Sequence, residues 1–225
     1  MPLLPEKGFL PDFSMVSEKV LEQARLMFLN YPNNPTGAIA TPELFGEAIE
    51  LGHKHGICIV HDFAYGAIGY DGKKPLSFLQ IPGAKEVGVE MFTLSKSYNM
   101  AGWRIGFVLG NRSVIRAIEL IQEHYYCSIF GGLQQAAAHA LLAQQDSVAK
   151  LVHMYEARRN RLVHSAREIA GKLLRRKGHF LPGFRFHKAI LRKALPIYCL
   201  RRQGSSSLRG SVSASMAKAM CESDC

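Results

Sequence analysis

Short apolar runs alternate with longer amphipathic stretches along the first 170 residues, the order expected when parallel strands are joined by crossover helices. Residues 24–31, ARLMFLNY, read as a buried strand that should end where the turn formers of PNNPTG begin. Thr41, Pro42 and Glu43 then supply an N-cap, a proline suited to the first helical turn, and an acid near the positive end of the helix dipole. That combination predicts a helix to about His55, stopped by Gly56. ICIVHD, residues 57–62, follows as a second strand whose carboxyl end presents Asp62. Val89 to Ser95 reads as a third strand and Arg104 to Leu109 as a fourth. From Ser113 a helix carries Val114, Ile115, Ile118 and Ile121 at helical spacing, and Leu133 to about Ala170 is long, polar on one side and helical in composition. An α/β domain with a mainly parallel sheet flanked by helices is the expected fold.

After Ala170 the periodicity collapses into basic clusters interrupted by Ser and Gly, so residues 171–225 are expected to form an irregular tail rather than part of the 1–170 domain. Charge draws the same boundary. The chain carries a formal net charge of +10, yet residues 1–170 hold 16 basic and 16 acidic side chains while residues 171–225 hold 12 basic and 2 acidic ones. A nucleic-acid-binding extension would interleave aromatics with its Lys and Arg, and the tail offers only Phe180, Phe184, Phe186 and Tyr198. The scarcity of aromatics therefore argues against a nucleic-acid partner.

With 48% hydrophobic residues the 225-residue chain has ordinary globular composition, which excludes collagen, a coiled coil and wholesale disorder. No apolar run approaches the roughly 20 residues needed to span a bilayer, and MPLLPEKGFLPDF has neither a basic n-region nor an apolar h-region, so a cytoplasmic protein without a membrane partner is expected. Cys58, Cys127, Cys199, Cys221 and Cys225 form no C-x-x-C pair and read as free thiols in a reducing compartment, with no residue assigned to a metal.

In open α/β sheets ligands bind beyond the carboxyl ends of the strands, so the polar residues that close each apolar run come first. They are Asn34 in NNPTG, Asp62 with Tyr65 in HDFAYG, and Lys96 in TLSKSYNMAGWRIGF, where Thr93, Ser95 and Arg104 lie nearby. Taken singly, each has a bland explanation: a surface lysine at a strand end, a carboxylate capping the next turn, a packed phenol, a turn asparagine. Together they supply what pyridoxal 5'-phosphate requires. A desolvated lysine can form a Schiff base, a carboxylate can keep the pyridine nitrogen protonated, and hydroxyl, amide and guanidinium groups can hold O3' and the phosphate.

The motifs N-P-T-G, D-x-A-Y and S-K-x-x-x-x-x-G-x-R-x-G resemble those of the class I/II aminotransferases, enzymes of the pyridoxal-phosphate-dependent transferase fold type I. The 28 positions from Asn34 to Asp62 and the 34 from Asp62 to Lys96 agree with that family. The resemblance covers about residues 1–170 and implies a partial large, cofactor-binding domain with a connecting helix. It implies that Lys96 is the Schiff-base lysine and proton carrier and that Asp62 partners the pyridinium. Tyr65 and Asn34 would contact O3', Arg104, Ser95 and Thr93 would hold the phosphate, and Tyr98, Gly102 and Trp103 would pack around that loop. An amino acid and a 2-oxo acid would be the substrates, and a homodimer the functional unit. LNYPNNPTGA, VHDFAYGA and TLSKSYNMAGWRIGF most resemble the methionine-salvage branch, which aminates 4-methylthio-2-oxobutanoate to methionine. Branches acting on aspartate, aromatic amino acids or LL-diaminopimelate share these motifs.

Two departures qualify the expectation. Nothing in the chain matches the family's N-terminal arm or the first half of its large domain, with the Gly-rich phosphate cup and the ring-stacking aromatic. Residues 171–225 also lack the family's G-x-G-Y-V-R-V segment. One back-translation of Ala214–Cys225, read from the last G of a TCG codon for Ser213, gives GEHGEGYVRVGL. The tail is therefore expected to be an out-of-frame remnant of the small domain, and the chain an aminotransferase by lineage with impaired turnover. The rival is an inactive fragment or a basic, non-enzymatic polyanion binder. C–S lysis would use the same pocket.

Overall fold

The computed structural model describes residues 1–126 and 128–169, so the expectations for residues 171–225 and for Cys127 lie outside the described residues. Four strands form one sheet: β1 Leu26–Asn30, β2 Cys58–Asp62, β3 Gly88–Thr93 and β4 Gly106–Gly110. Their order is β1-β2-β3-β4, with β1, β2 and β3 parallel and β4 antiparallel to β3. Among the described residues the helices are α1 Glu18–Gln23, α2 Pro42–His55, α3 Ala84–Val87, α4 Leu94–Ser97, α5 Arg112–Ile121, α6 Gly131–Leu142 and α7 Asp146–Ile169. None is long and apolar enough to cross a membrane.

The crossover helix α2 starts and stops where its caps dictate. Thr41 Oγ1 accepts from the Leu44 N–H at 3.2 Å, and Gly56 closes the helix in the left-handed region at φ 65°. Its buried face of Leu44, Phe45, Ala48 and Ile49 packs with Met27, Leu29, Ile57 and Ile59 in the main core. The opposite face is buried at Val60 and Val89 and open at β1. Leu26 and Phe28 are 56% and 68% exposed, so the 24–31 run is a half-buried strand rather than the buried one its composition suggested. Period-two alternation sends Met27 and Leu29 to the core and Leu26 and Phe28 to the open face.

Two other boundaries differ from expectation for local reasons. β3 ends at Thr93, not Ser95, because Thr93 Oγ1 caps α4 by accepting the Ser95 N–H at 3.1 Å, which turns the chain out of the ladder. β4 begins at Gly106 because Arg104 occupies the left-handed region at φ 52°, outside strand geometry. The 133–170 stretch is two helices. Gln145 Nε2 donates to the carbonyls of Ala140, Leu141 and Ala143, which satisfies the open end of α6 before α7 begins.

Helix α7 returns to brace the segment after β2. The Arg159 guanidinium, 2% exposed, forms a fork with Asp71 at 2.8 and 3.0 Å and lies 4.7 Å from the Tyr70 ring centroid. Val152 and Tyr155 of α7 pack on the buried cluster of Tyr65, Ile68 and Tyr70.

Candidate active site

The carboxyl ends of the parallel strands meet in register, Asn30 opposite Asp62 and Asp62 opposite Met91. Asn30 joins the first two ends. Its Nδ2 donates to the Asp62 carbonyl at 3.1 Å while its Oδ1 accepts the Asn34 N–H at 3.0 Å. Within the PNNPTG loop Asn33 is the internal strut: Nδ2 donates to the Asn30 carbonyl, and Oδ1 accepts the Thr36 hydroxyl at 2.7 Å. Asn34 stands exposed at the loop tip, with no hydrogen bond to its side chain among the described residues. The motif therefore divides its labour, one asparagine building the turn and the next pointing outward.

Asp62 is exposed at the end of β2, where its Oδ1 accepts the Ala64 N–H at 3.2 Å. Tyr65 is 5% exposed; burial, and then the negative charge of Asp62, push its hydroxyl above the ordinary tyrosine range. At neutral pH that hydroxyl is a protonated donor. Lys96, half-buried on α4, holds Nζ 5.7 Å from the Tyr65 ring centroid. Among the described residues no carboxylate pairs with it.

Beside this pair lies a cleft of about 290 Å³ lined by Asp62, Thr93, Ser95, Arg104, Gly106 and Phe107 among others. Thr93 Oγ1 and Ser95 Oγ sit 2.9 Å apart. Arg104 is exposed and commits one N–H to the Ala101 carbonyl at 3.1 Å, leaving other donors of its fork for an anion. The structure thus gathers Asp62, Thr93, Ser95 and Arg104 around one cleft; Lys96, Tyr65 and Asn34 do not line it, Lys96 following Ser95 in the chain and Asn34 being tied to Asp62 through Asn30. Tyr98 packs on the Leu94 and Ile105 cluster and donates to Gln145 Oε1 at 2.7 Å, whereas Trp103 is 47% exposed.

The donor set fits pyridoxal phosphate: an amine without a paired carboxylate, a carboxylate at a strand end, a phenol, and two hydroxyls with a guanidinium for the phosphate. Asn30 was missed by sequence reasoning although its signal was present. It is the polar residue that closes LMFL, the criterion that selected Asp62. Gln145 had no comparable signal, because its role is set by a helix end.

The model of aminotransferase class I and II matches residues 1–224. The chain belongs to this aminotransferase family. Over 180 residues it is 55% identical to the L-glutamine--4-(methylsulfanyl)-2-oxobutanoate aminotransferase of Bacillus subtilis strain 168, covering 80% of this chain and 45% of that protein. It is 44% identical over 173 residues to the LL-diaminopimelate aminotransferase of Gloeobacter violaceus, covering 77% and 44%. The apo structure of BacF from Bacillus subtilis superposes with a TM-score of 0.78 at 41% identity, over 87% of this chain and 52% of that one. The chain spans about half the length of the relatives it matches. Class I and II aminotransferases depend on pyridoxal phosphate, and the mainly parallel sheet with flanking helices is a part of their fold type I architecture.

Proposed function

We propose that the cleft at the strand ends is a pyridoxal-phosphate site and that the chain is part of a transaminase exchanging an amino group between an amino acid and a 2-oxo acid. The observation that carries this reading is the half-buried Lys96 amine over the Tyr65 ring, beside a cleft that collects Asp62, Thr93, Ser95 and Arg104. Pyridoxal phosphate, when bound, supplies an aldehyde that bonds an amine and a ring that delocalises the electron pair left behind by a departing α-proton. Lys96 Nζ would be the amine that holds the aldehyde and the base that moves a proton at the substrate α-carbon. The Asp62 carboxylate would hold a proton on the ring nitrogen. Tyr65, protonated at neutral pH, would donate to O3' alongside the Asn34 amide, and Thr93, Ser95 and Arg104 would hold the phosphate.

The 55% identity to the Bacillus subtilis relative supports 4-(methylsulfanyl)-2-oxobutanoate as the amino acceptor. We place the reaction in the cytoplasm, in a homodimer. Residues 1–170 act as the cofactor-binding domain, and residues 171–225 are an out-of-frame remnant of the small domain.

The test is uptake. The chain mixed with pyridoxal phosphate and reduced with borohydride should yield one modified peptide, containing Lys96, after proteolysis. No modification at Lys96, together with a salt-dependent shift of labelled DNA, would replace this reading with a polyanion binder.

A further inference from the structure

Immediately before Asp62, His61 turns to the opposite, covered face of the sheet and is fully buried. Its ring lies 4.9 Å from Phe45, 5.1 Å from Phe63 and 6.3 Å from Phe78, centroid to centroid. Both ring nitrogens are engaged: Nε2 is 3.0 Å from the Tyr31 carbonyl oxygen and Nδ1 is 2.9 Å from Glu90 Oε2. A carbonyl only accepts, so Nε2 carries a hydrogen and donates it to Tyr31, while Nδ1 and Glu90 share the other hydrogen bond. Glu90 also accepts the Phe78 N–H at 2.7 Å and the Ser77 hydroxyl at 2.8 Å, which fixes the acid and through it the ring.

For filling space among three phenylalanines an apolar ring would serve as well, without polar groups to satisfy. The histidine adds direction. Its two bonds cross β2 and tie the main chain at Tyr31, the first residue after β1, to Glu90 in β3. Tyr31 opens the loop that carries Asn34, and on the open face Asn30 ties the same loop to Asp62. The loop is therefore held from both sides of the sheet.

We propose that His61 is a positioning residue: by donating to the Tyr31 carbonyl, with Glu90 setting its tautomer, it holds the Asn34 loop level with Asp62. The effect on cofactor affinity rests on the reading of the site above; the effect on the loop does not.

His61→Phe keeps a ring in place and removes both bonds. In the cofactor-free chain, exchange of the Asn33, Asn34 and Gly37 amides should accelerate at least about tenfold, while amides of the β1–β2–β3 ladder change far less. Pyridoxal phosphate affinity should fall to about the level of Asn34→Ala, and the double variant should be no weaker than either single one. His61→Gln, which keeps an amide for the Tyr31 carbonyl, should fall between and replaces His61→Phe if that variant does not fold. Unchanged loop exchange, exchange raised evenly over the sheet, or additive losses of affinity would overturn the proposal. A chain that takes up no pyridoxal phosphate, yet whose loop loosens in the variant, would keep the clamp and defeat the cofactor reading.

Discussion

His61 and Asp62 are chain neighbours that the sheet sends to opposite faces. His61 has no solvent exposure and bonds at both ring nitrogens, whereas Asp62 is exposed and meets Asn30, Thr93 and Arg104 around the strand ends. The covered face spends its polar groups on one another and on the main chain. The open face leaves an amine, a carboxylate and an amide tip unpaired with one another. A strand supplies both at no extra length, because its side chains alternate.

The contrast breaks most visibly at Lys96. Lys96→Ala should abolish covalent capture of pyridoxal phosphate entirely while leaving the melting temperature nearly unchanged; modification persisting on another lysine would show that the amine had been misassigned. On the covered face, Phe45→Ala should cost about 3–5 kcal/mol in urea unfolding, because a fully buried ring leaves a cavity. Phe28→Ser on the open face should stay within about 0.5 kcal/mol. Equal losses at the two positions would mean that the faces do not differ as described.

A subtler change is Asp62→Asn, which keeps the shape and removes the charge. Loss of a charged hydrogen bond worth about 1.5–3 kcal/mol weakens pyridoxal phosphate binding about 10- to 100-fold in a fluorescence titration, with stability preserved. A further effect is alkaline. Tyr31, whose hydroxyl donates to the Phe9 carbonyl at 2.9 Å, has its pKa pushed up to about 12 by burial. An unfolded tyrosine ionises near pH 10, so the unfolded chain loses this proton first. The stability contributed is whole below about pH 10 and is lost as pH rises toward about 12. Thermal melts across that window should show a shallower decline in Tyr31→Phe than in the parent chain.

Helix α2 was legible to the residue because Thr41, Pro42 and Gly56 act through bonds to their own helix. Asp62 and Lys96 were singled out because strand ends are where such sheets bind ligands, and the structure puts Asp62 at the end of β2 and Lys96 on α4 just after β3. Harder were the end of β3 and the split of the 133–170 stretch. The first turns on a hydroxyl choosing a cap over a ladder; the second turns on Gln145 reaching back to three carbonyls while its oxygen accepts from Tyr98, far away in sequence.

Residue identity and spacing alone determined the α/β order and the family motifs, since those follow from local propensity and from the order of residue types along the chain. Only the tertiary structure decided which face of the sheet is open, that Asn30 ties the Asn34 loop to Asp62, and that His61 works on the covered side. Those outcomes depend on strand register and on partners brought together from distant parts of the chain, and neither is encoded in any short stretch of it.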